Sequence, residues 1–186
     1  MKIAITGTIG SGKTAVSDYL RSRGYDVFDC DKVNSELLEE NRKGYREVKK
    51  LFPECFDGKS LNKKKLAETV FSDPEKKKKL ENVMHPLILK KLQKRKDDPL
   101  FAEVPLLFEA GWDVYFDKTL LVVTDEKLLK DRMKERGLSV KQYRERLKTQ
   151  MPVEEKIKRA DKIIYNNGSL NDLHVMIDNW LKEVLC

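Results

Sequence analysis

Residues 7–14 read Gly-Thr-Ile-Gly-Ser-Gly-Lys-Thr, a spacing of glycines ahead of a Lys-Thr pair that suits a phosphate-binding loop. Glycine lets the backbone turn tightly and approach an anion with no Cβ in the way. The stretch Gly7, Thr8, Ile9, Gly10, Ser11, Gly12, Lys13, Thr14 and Ala15 can then turn its N–H groups inward, and the helix that follows adds the positive end of its dipole. Lys13 can reach the β- and γ-phosphates of a nucleotide, and the Thr14 hydroxyl is placed to ligate Mg²⁺. ATP with Mg²⁺ is the ligand this loop is expected to hold.

A second reactive group is Asp29-Cys30-Asp31, at or just past the end of the short run Tyr25-Asp26-Val27-Phe28-Asp29. Open α/β sheets bind ligands outside the carboxyl ends of their strands, so Asp31 is expected to face the phosphates. A carboxylate beside an acceptor hydroxyl can orient it and take its proton. Asp31 is the first candidate for that role and Asp29 the second; either could instead bind Mg²⁺ through water or cap the next helix. Glu109 is a candidate for acceptor binding or for a metal-bound water, with a structural hydrogen bond equally open. His85 is retained as a substrate-binding candidate against the plainer reading of a packed or capping histidine. The stretch 125–156 carries Lys130, Arg132, Lys134, Arg136, Arg144, Arg146 and Lys156. A basic helical pair closing over ATP would exclude water and stabilise charge. Arg132, Arg136, Arg146 and Lys156 are the lid candidates, and a solvated amphipathic hairpin is the competing reading.

These groups need a frame. Lys2–Thr6 is short, apolar and β-branched, as a buried parallel strand should be. Ala15, Val16, Tyr19 and Leu20 recur at helical spacing, and Gly24 marks the stop. Further strands are expected at 25–29, 100–104, 119–123 and 162–165. Residues 32–98 read as helical throughout, with Asn62 as an N-cap, Asp73-Pro74-Glu75 as a helix start and Pro86 as a kink or restart. After Thr119–Val123 come helices near 126–135 and 139–149 separated by Gly137, a short helix from Pro152, and a closing helix capped by Ser169. Strands interleaved with helices predict an α/β fold, a five-stranded parallel sheet with helices on both faces.

The chain has 186 residues, a net charge of +7, 40% hydrophobic and 37% charged residues. That is enough apolar content for one α/β core with a sub-domain, and the charge suits a polyanionic ligand. The Lys- and Glu-rich composition follows the pattern of heat-adapted proteins. Lysine runs at 63–65, 76–79 and 90–96 fall in predicted helices, where a solvated face competes with a polyanion groove. There is no apolar run of membrane-spanning length, and the N-terminus leads straight into a core strand, so neither a membrane partner nor a signal peptide is expected. Cys30, Cys55 and Cys186 are not at metal-ligand spacing and read as free thiols in a reducing, cytoplasmic setting.

Taken in order, Thr6–Thr14, Asp29-Cys30-Asp31, Phe71–Glu75, His85-Pro86-Leu87-Ile88, Val104–Glu109 and Asn166-Asn167-Gly168 resemble the dephospho-CoA kinase family over nearly the whole chain. The resemblance implies transfer of the ATP γ-phosphoryl group to the ribose 3′-hydroxyl of dephospho-CoA, the last step of coenzyme A synthesis. It implies a nucleotide-binding core at 1–31, 99–124 and 157–186, an acceptor-binding insertion at 32–98 and a lid at 125–156. It also implies Asp31 as the base. The sequence departs from the family pattern at Thr8, where glycine is frequent, at Cys30, where alanine is usual, and at Val153, where the lid carries arginine. Lys156, Arg146 or another basic residue would have to replace that arginine. ATP and dephospho-CoA are the expected partners of a monomer or weak homo-oligomer. Other small-molecule kinases, such as nucleoside monophosphate kinases, are the nearest rival. A nucleic-acid-binding protein is a more distant one that leaves the Asp29/Asp31 pair unexplained, so no nucleic-acid partner is expected.

Overall fold

Every residue from Ile3 to Gly7 is buried, and a strand buried on both faces belongs in the middle of a sheet. The computed structural model, which describes residues 1–135, 137, 143 and 147–185, has it there. The strands are β1 (Lys2–Gly7), β2 (Val27–Asp29), β3 (Phe56–Asp57), β4 (Ser60–Leu61), β5 (Leu100–Glu103), β6 (Lys118–Val123) and β7 (Lys162–Tyr165). The helices are α1 (Lys13–Ser22), α2 (Cys30–Leu37), α3 (Lys43–Leu51), α4 (Lys63–Phe71), α5 (Pro74–Gln93), α6 (Glu126–Glu135), α7 (Val153–Arg159) and α8 (Leu170–Leu185).

The main sheet is parallel and five-stranded, in the order β2-β5-β1-β6-β7. Ile3 pairs with Phe101 of β5, Gly7 with Val122 of β6, and Leu121 of β6 with Ile163 of β7. The chain leaves β1 toward β2 and β5 on one side and comes back to β6 and β7 on the other. Strand order therefore reverses at β1, and the crevice outside its carboxyl end is where such sheets bind ligands. Gly7, the first residue of the phosphate loop, is the last residue of β1. On one face, Ile3, Ile5, Phe101 and Leu120 pack against Val16 and Leu20 of α1 and Ile177 and Trp180 of α8. Each such side chain contributes about 1.5–3 kcal/mol on burial, so the loop rests on a rigid support.

Contacts divide the chain into two compact units, Met1–Phe28 with Asp97–Cys186, and Asp29–Lys96. In the second unit α2, α3 and α4 pack against α5, whose Met84, Ile88 and Leu92 form one buried stripe at a four-residue spacing. Asn62 caps α4 by accepting the Lys65 N–H at 3.0 Å, and Asp73 caps α5 through the Glu75 and Lys76 N–H groups. Residues 29–96 hold 19 Lys and Arg against 12 Asp and Glu, while the other unit holds 19 of each. The whole net charge of +7 thus belongs to this smaller unit.

The second unit also corrects two expectations. It is not helical throughout, because β3 and β4 form an antiparallel hairpin with Phe56 opposite Leu61. Asp57 pairs with Ser60 across a two-residue turn that opens on Gly58 at φ 64°, a position where tight hairpins favour glycine. Nor does Pro86 break a helix; α5 runs from Pro74 to Gln93 with the proline inside. Proline removes one N–H donor, but Asn82, four residues back, and Pro86 are both exposed, so water can serve the bare carbonyl. Strand β2 begins two residues later than expected, at Val27. Among the described residues no helix is long and apolar enough to cross a membrane, and Cys30 and Cys55 are buried.

Candidate active site

The phosphate loop fills the turn between β1 and α1. Gly12 occupies the N-cap of α1 at φ 101°, where a Cβ would run into the Asn166 side-chain amide. A glycine here leaves the first turn of α1 with no capping side chain and no acidic residue, the arrangement an incoming anion needs. Lys13 is buried, and its ammonium donates to the carbonyls of Gly7 and Thr8 at 2.9 Å each. Thr8 has a negative φ, since Asn41 is the one non-glycine residue with positive φ among the described residues. Threonine in place of glycine is thus tolerated without strain.

Glu103 is the residue that sequence reasoning missed. It ends β5, is buried, and accepts the Thr14 hydroxyl on Oε1 at 3.2 Å and the Ser17 hydroxyl on Oε2 at 2.7 Å. An acid ending the apolar strand Leu100-Phe101-Ala102 was the available signal, because a buried carboxylate is rare without a dedicated partner. Thr14 and Glu103 together present oxygen donors of the kind Mg²⁺ prefers. No cluster of three or more His, Cys, Asp or Glu side chains able to hold a metal occurs among the described residues. A cation here would therefore depend on nucleotide phosphates for the rest of its ligands.

The Asn166-Asn167-Gly168 turn braces the loop from the far side. Asn166 Nδ2 donates to the Ser11 carbonyl at 2.8 Å, and Asn167 Oδ1 accepts the Asp125 N–H at 2.9 Å. The Ser11 and Asn166 carbonyls lie 3.0 and 3.1 Å from Thr124 Oγ1 and share its single hydroxyl proton. Arg132 of α6 reaches the same place, donating to Thr124 Oγ1 at 3.2 Å and to the Asn166 carbonyl at 3.1 Å. Of the lid candidates among the described residues, Arg132 is thus the one brought to the loop. It borders a cavity of about 230 Å³ with Gly10, Gly12, Ala15, Leu170 and Leu173 in its wall.

Lys156 and Glu109 are placed differently from expectation. The Lys156 side chain is completely buried and its ammonium lies 2.8 Å from Glu109 Oε1. It is held as a structural cation, so it does not serve as a lid charge on phosphate. Glu109 is held by the same contact and by the Met151 N–H at 2.8 Å, which is the structural hydrogen bond left open above. Arg136 and Arg146, with Arg144 and most of the expected 139–149 helix, lie outside the described residues. Val153, at the family's arginine position, is the first residue of α7 and half-buried. Gln150, three residues earlier, accepts the Ile9 N–H of the phosphate loop at 3.2 Å.

In the second unit the two aspartates separate into distinct roles. Asp29 is the N-cap of α2 and accepts the Lys32 N–H at 2.9 Å, whereas Asp31 stands exposed in the first turn. His85 is half-buried on α5. Desolvation pushes its imidazole below the usual histidine range, opposed by the Glu81 carboxylate and reinforced by the Lys77 ammonium. The unfolded chain therefore binds a proton at a pH where folded His85 does not. Stability from the neutral ring is complete above the unfolded value, about 6.5, and is lost as pH falls through the lower folded value. A His85→Gln variant should accordingly show a flatter urea midpoint than the parent between about pH 7 and about pH 5.5; equal slopes would contradict this.

Comparison with known proteins decides the family. The family model for dephospho-CoA kinase matches residues 1–172. The chain belongs to the dephospho-CoA kinase family. A dephospho-CoA kinase of Thermus thermophilus is 42% identical over 187 residues, covering 98% of this chain and 91% of that one. A Thermus thermophilus crystal structure superposes with a TM-score of 0.87 at 42% identity, covering 99% of this chain and 97% of its own. The dephospho-CoA kinase of Campylobacter jejuni gives a TM-score of 0.72 at 32% identity, covering 99% and 98%. Dephospho-CoA kinases phosphorylate dephospho-CoA in the last step of coenzyme A synthesis, and this chain is an enzyme of that kind.

Proposed function

We propose that the chain moves the γ-phosphoryl group of ATP onto the 3′-hydroxyl of the dephospho-CoA ribose, releasing coenzyme A and ADP. The observation that carries this reading is the phosphate loop at the carboxyl end of β1, with Lys13 and Thr14 in it, in a member of this family. Phosphoryl transfer passes through a loose transition state, so the protein's task is mostly positioning and charge stabilisation. The loop from Gly7 to Ala15 cradles the phosphates through its N–H groups other than those of Ile9 and Ser11, which the Gln150 side chain and the Thr8 carbonyl hold, and Lys13 neutralises the β- and γ-oxygens. Thr14, with Glu103 behind it, holds Mg²⁺, which when bound screens the phosphate charge.

The cavity of about 230 Å³ suits the nucleoside end of ATP, with Ala15, Leu170 and Leu173 as an apolar wall and the Arg132 guanidinium at its rim. Residues 125–156 act as the lid, and residues 32–98 receive the acceptor, with His85 lining the acceptor side. Asp31 orients the acceptor hydroxyl and takes its proton; Asp29 holds the helix that carries it. Support for Asp31 comes from its place two residues past the end of β2, in the first turn of α2. The enzyme works in the cytoplasm as a monomer or weak homo-oligomer, without membrane or nucleic-acid partners.

The test is an ADP-release assay with ATP and Mg²⁺ that offers dephospho-CoA beside AMP, CMP, UMP and shikimate. Turnover with dephospho-CoA alone is expected; turnover with a monophosphate or shikimate instead would reassign the acceptor. The same assay reads the charge partition. With all of the +7 in residues 29–96, kcat/KM for the anionic acceptor should fall more steeply than that for ATP as ionic strength rises from about 0.05 to about 0.5 M. Equal slopes would remove the insertion as an electrostatic guide.

A further inference from the structure

Lys156 has no solvent exposure, a setting an ammonium tolerates only beside a counter-charge. Glu109 Oε1 provides it at 2.8 Å. Neither Lys156 Nζ nor Glu109 Oε2 has an aligned hydrogen-bond partner among the described residues, so charge rather than a bond network holds the contact. Glu109 Oε1 also accepts the Met151 N–H. One residue earlier, Gln150 donates its own N–H to the Leu147 carbonyl at 2.9 Å and accepts the Ile9 N–H on its side-chain oxygen. The far end of the same arm is fixed too: Arg159 meets Asp113 at 2.9 Å and lies 4.8 Å from the centre of the Phe108 ring.

Such a buried pair is a weak source of stability, since an apolar pair of like volume generally does as well or better. Its distinctive consequence is geometric. It fixes the backbone between Gln150 and Lys156, and with it the reach of Gln150 to the phosphate loop. We propose that Glu109 and Lys156 are positioning residues for the nucleotide: their pair sets the arm 150–156 so that Gln150 fastens the Ile9 N–H and keeps the loop in its phosphate-accepting shape. Its bearing on turnover rests on the kinase reading above. Its first readout, ATP affinity, does not depend on the acceptor.

The experiment is a double-mutant cycle. Gln150→Ala, Glu109→Gln and the two combined are compared in calorimetric ATP affinity, in kcat and in thermal stability. Each single change should weaken ATP binding about tenfold, and the combination also about tenfold, because both act through one contact. Should Glu109→Gln fail to fold, the pair Glu109→Gln/Lys156→Met, which removes both charges together, takes its place in the cycle. A combined loss near a hundredfold, or a folded single variant that binds ATP as the parent does, overturns the proposal. A parent protein that binds ATP without phosphorylating dephospho-CoA would overturn the acceptor assignment instead, and the cycle would still be read from affinity.

Discussion

A Lys13→Met variant should lose about three orders of magnitude in kcat/KM for ATP, about 4 kcal/mol of transition-state stabilisation. Methionine keeps the length and most of the volume of the side chain, so the buried site does not become a cavity. What disappears is the ammonium held at 2.9 Å by the Gly7 and Thr8 carbonyls. Those contacts hold the charge at the loop before any nucleotide arrives. A Lys13→Arg variant should also fail despite its charge, because the planar guanidinium is larger and cannot be held by the same two carbonyls. Steady-state kinetics with ATP varied against saturating dephospho-CoA read both variants. A Lys13→Met enzyme within tenfold of the parent would mean that the loop is not the γ-phosphate site.

The readable parts of this chain were those whose cause is local. Lys2–Thr6 declared a buried parallel strand because burial on both faces demands a mostly apolar run, and the glycine spacing after it declared the loop. The caps at Asn62 and Asp73 were visible for the same reason, since each acts on N–H groups two or three residues away. The hairpin at Phe56–Leu61 also had a local sign, the glycine at 58, outweighed by the helical pattern on both sides. Glu103 was harder, because nothing within β5 tells that its carboxylate will meet hydroxyls from the start of α1, 86 and 89 residues earlier. Glu109 and Lys156 were out of reach altogether. Forty-seven residues separate them, and as sequence letters each looks like a free charge suited to a ligand. The two aspartates show the finest grain: the residue types at 29 and 31 are identical, and only backbone geometry makes Asp29 the cap.

That separation gives the sharpest test of the mechanism. Asp31→Asn should leave ATP affinity within about twofold and lower kcat by about 10²- to 10⁴-fold, the range of a lost general base. Asparagine is nearly isosteric and still orients through its amide oxygen, so the loss measures proton acceptance more than shape. Asp29→Asn is its companion. Asparagine caps a helix about as well as aspartate, so the Lys32 N–H keeps its partner and α2 keeps its start. It should therefore cost less than about tenfold in kcat, whereas Asp29→Ala should cost about 1 kcal/mol of stability through the lost cap. Measured kcat, calorimetric ATP affinity and urea unfolding separate the three variants. If Asp31→Asn turns over like the parent while Asp29→Asn does not, the base is Asp29 and the cap is incidental. If both turn over normally, proton removal is left to solvent, and catalysis rests on Lys13 and the loop alone.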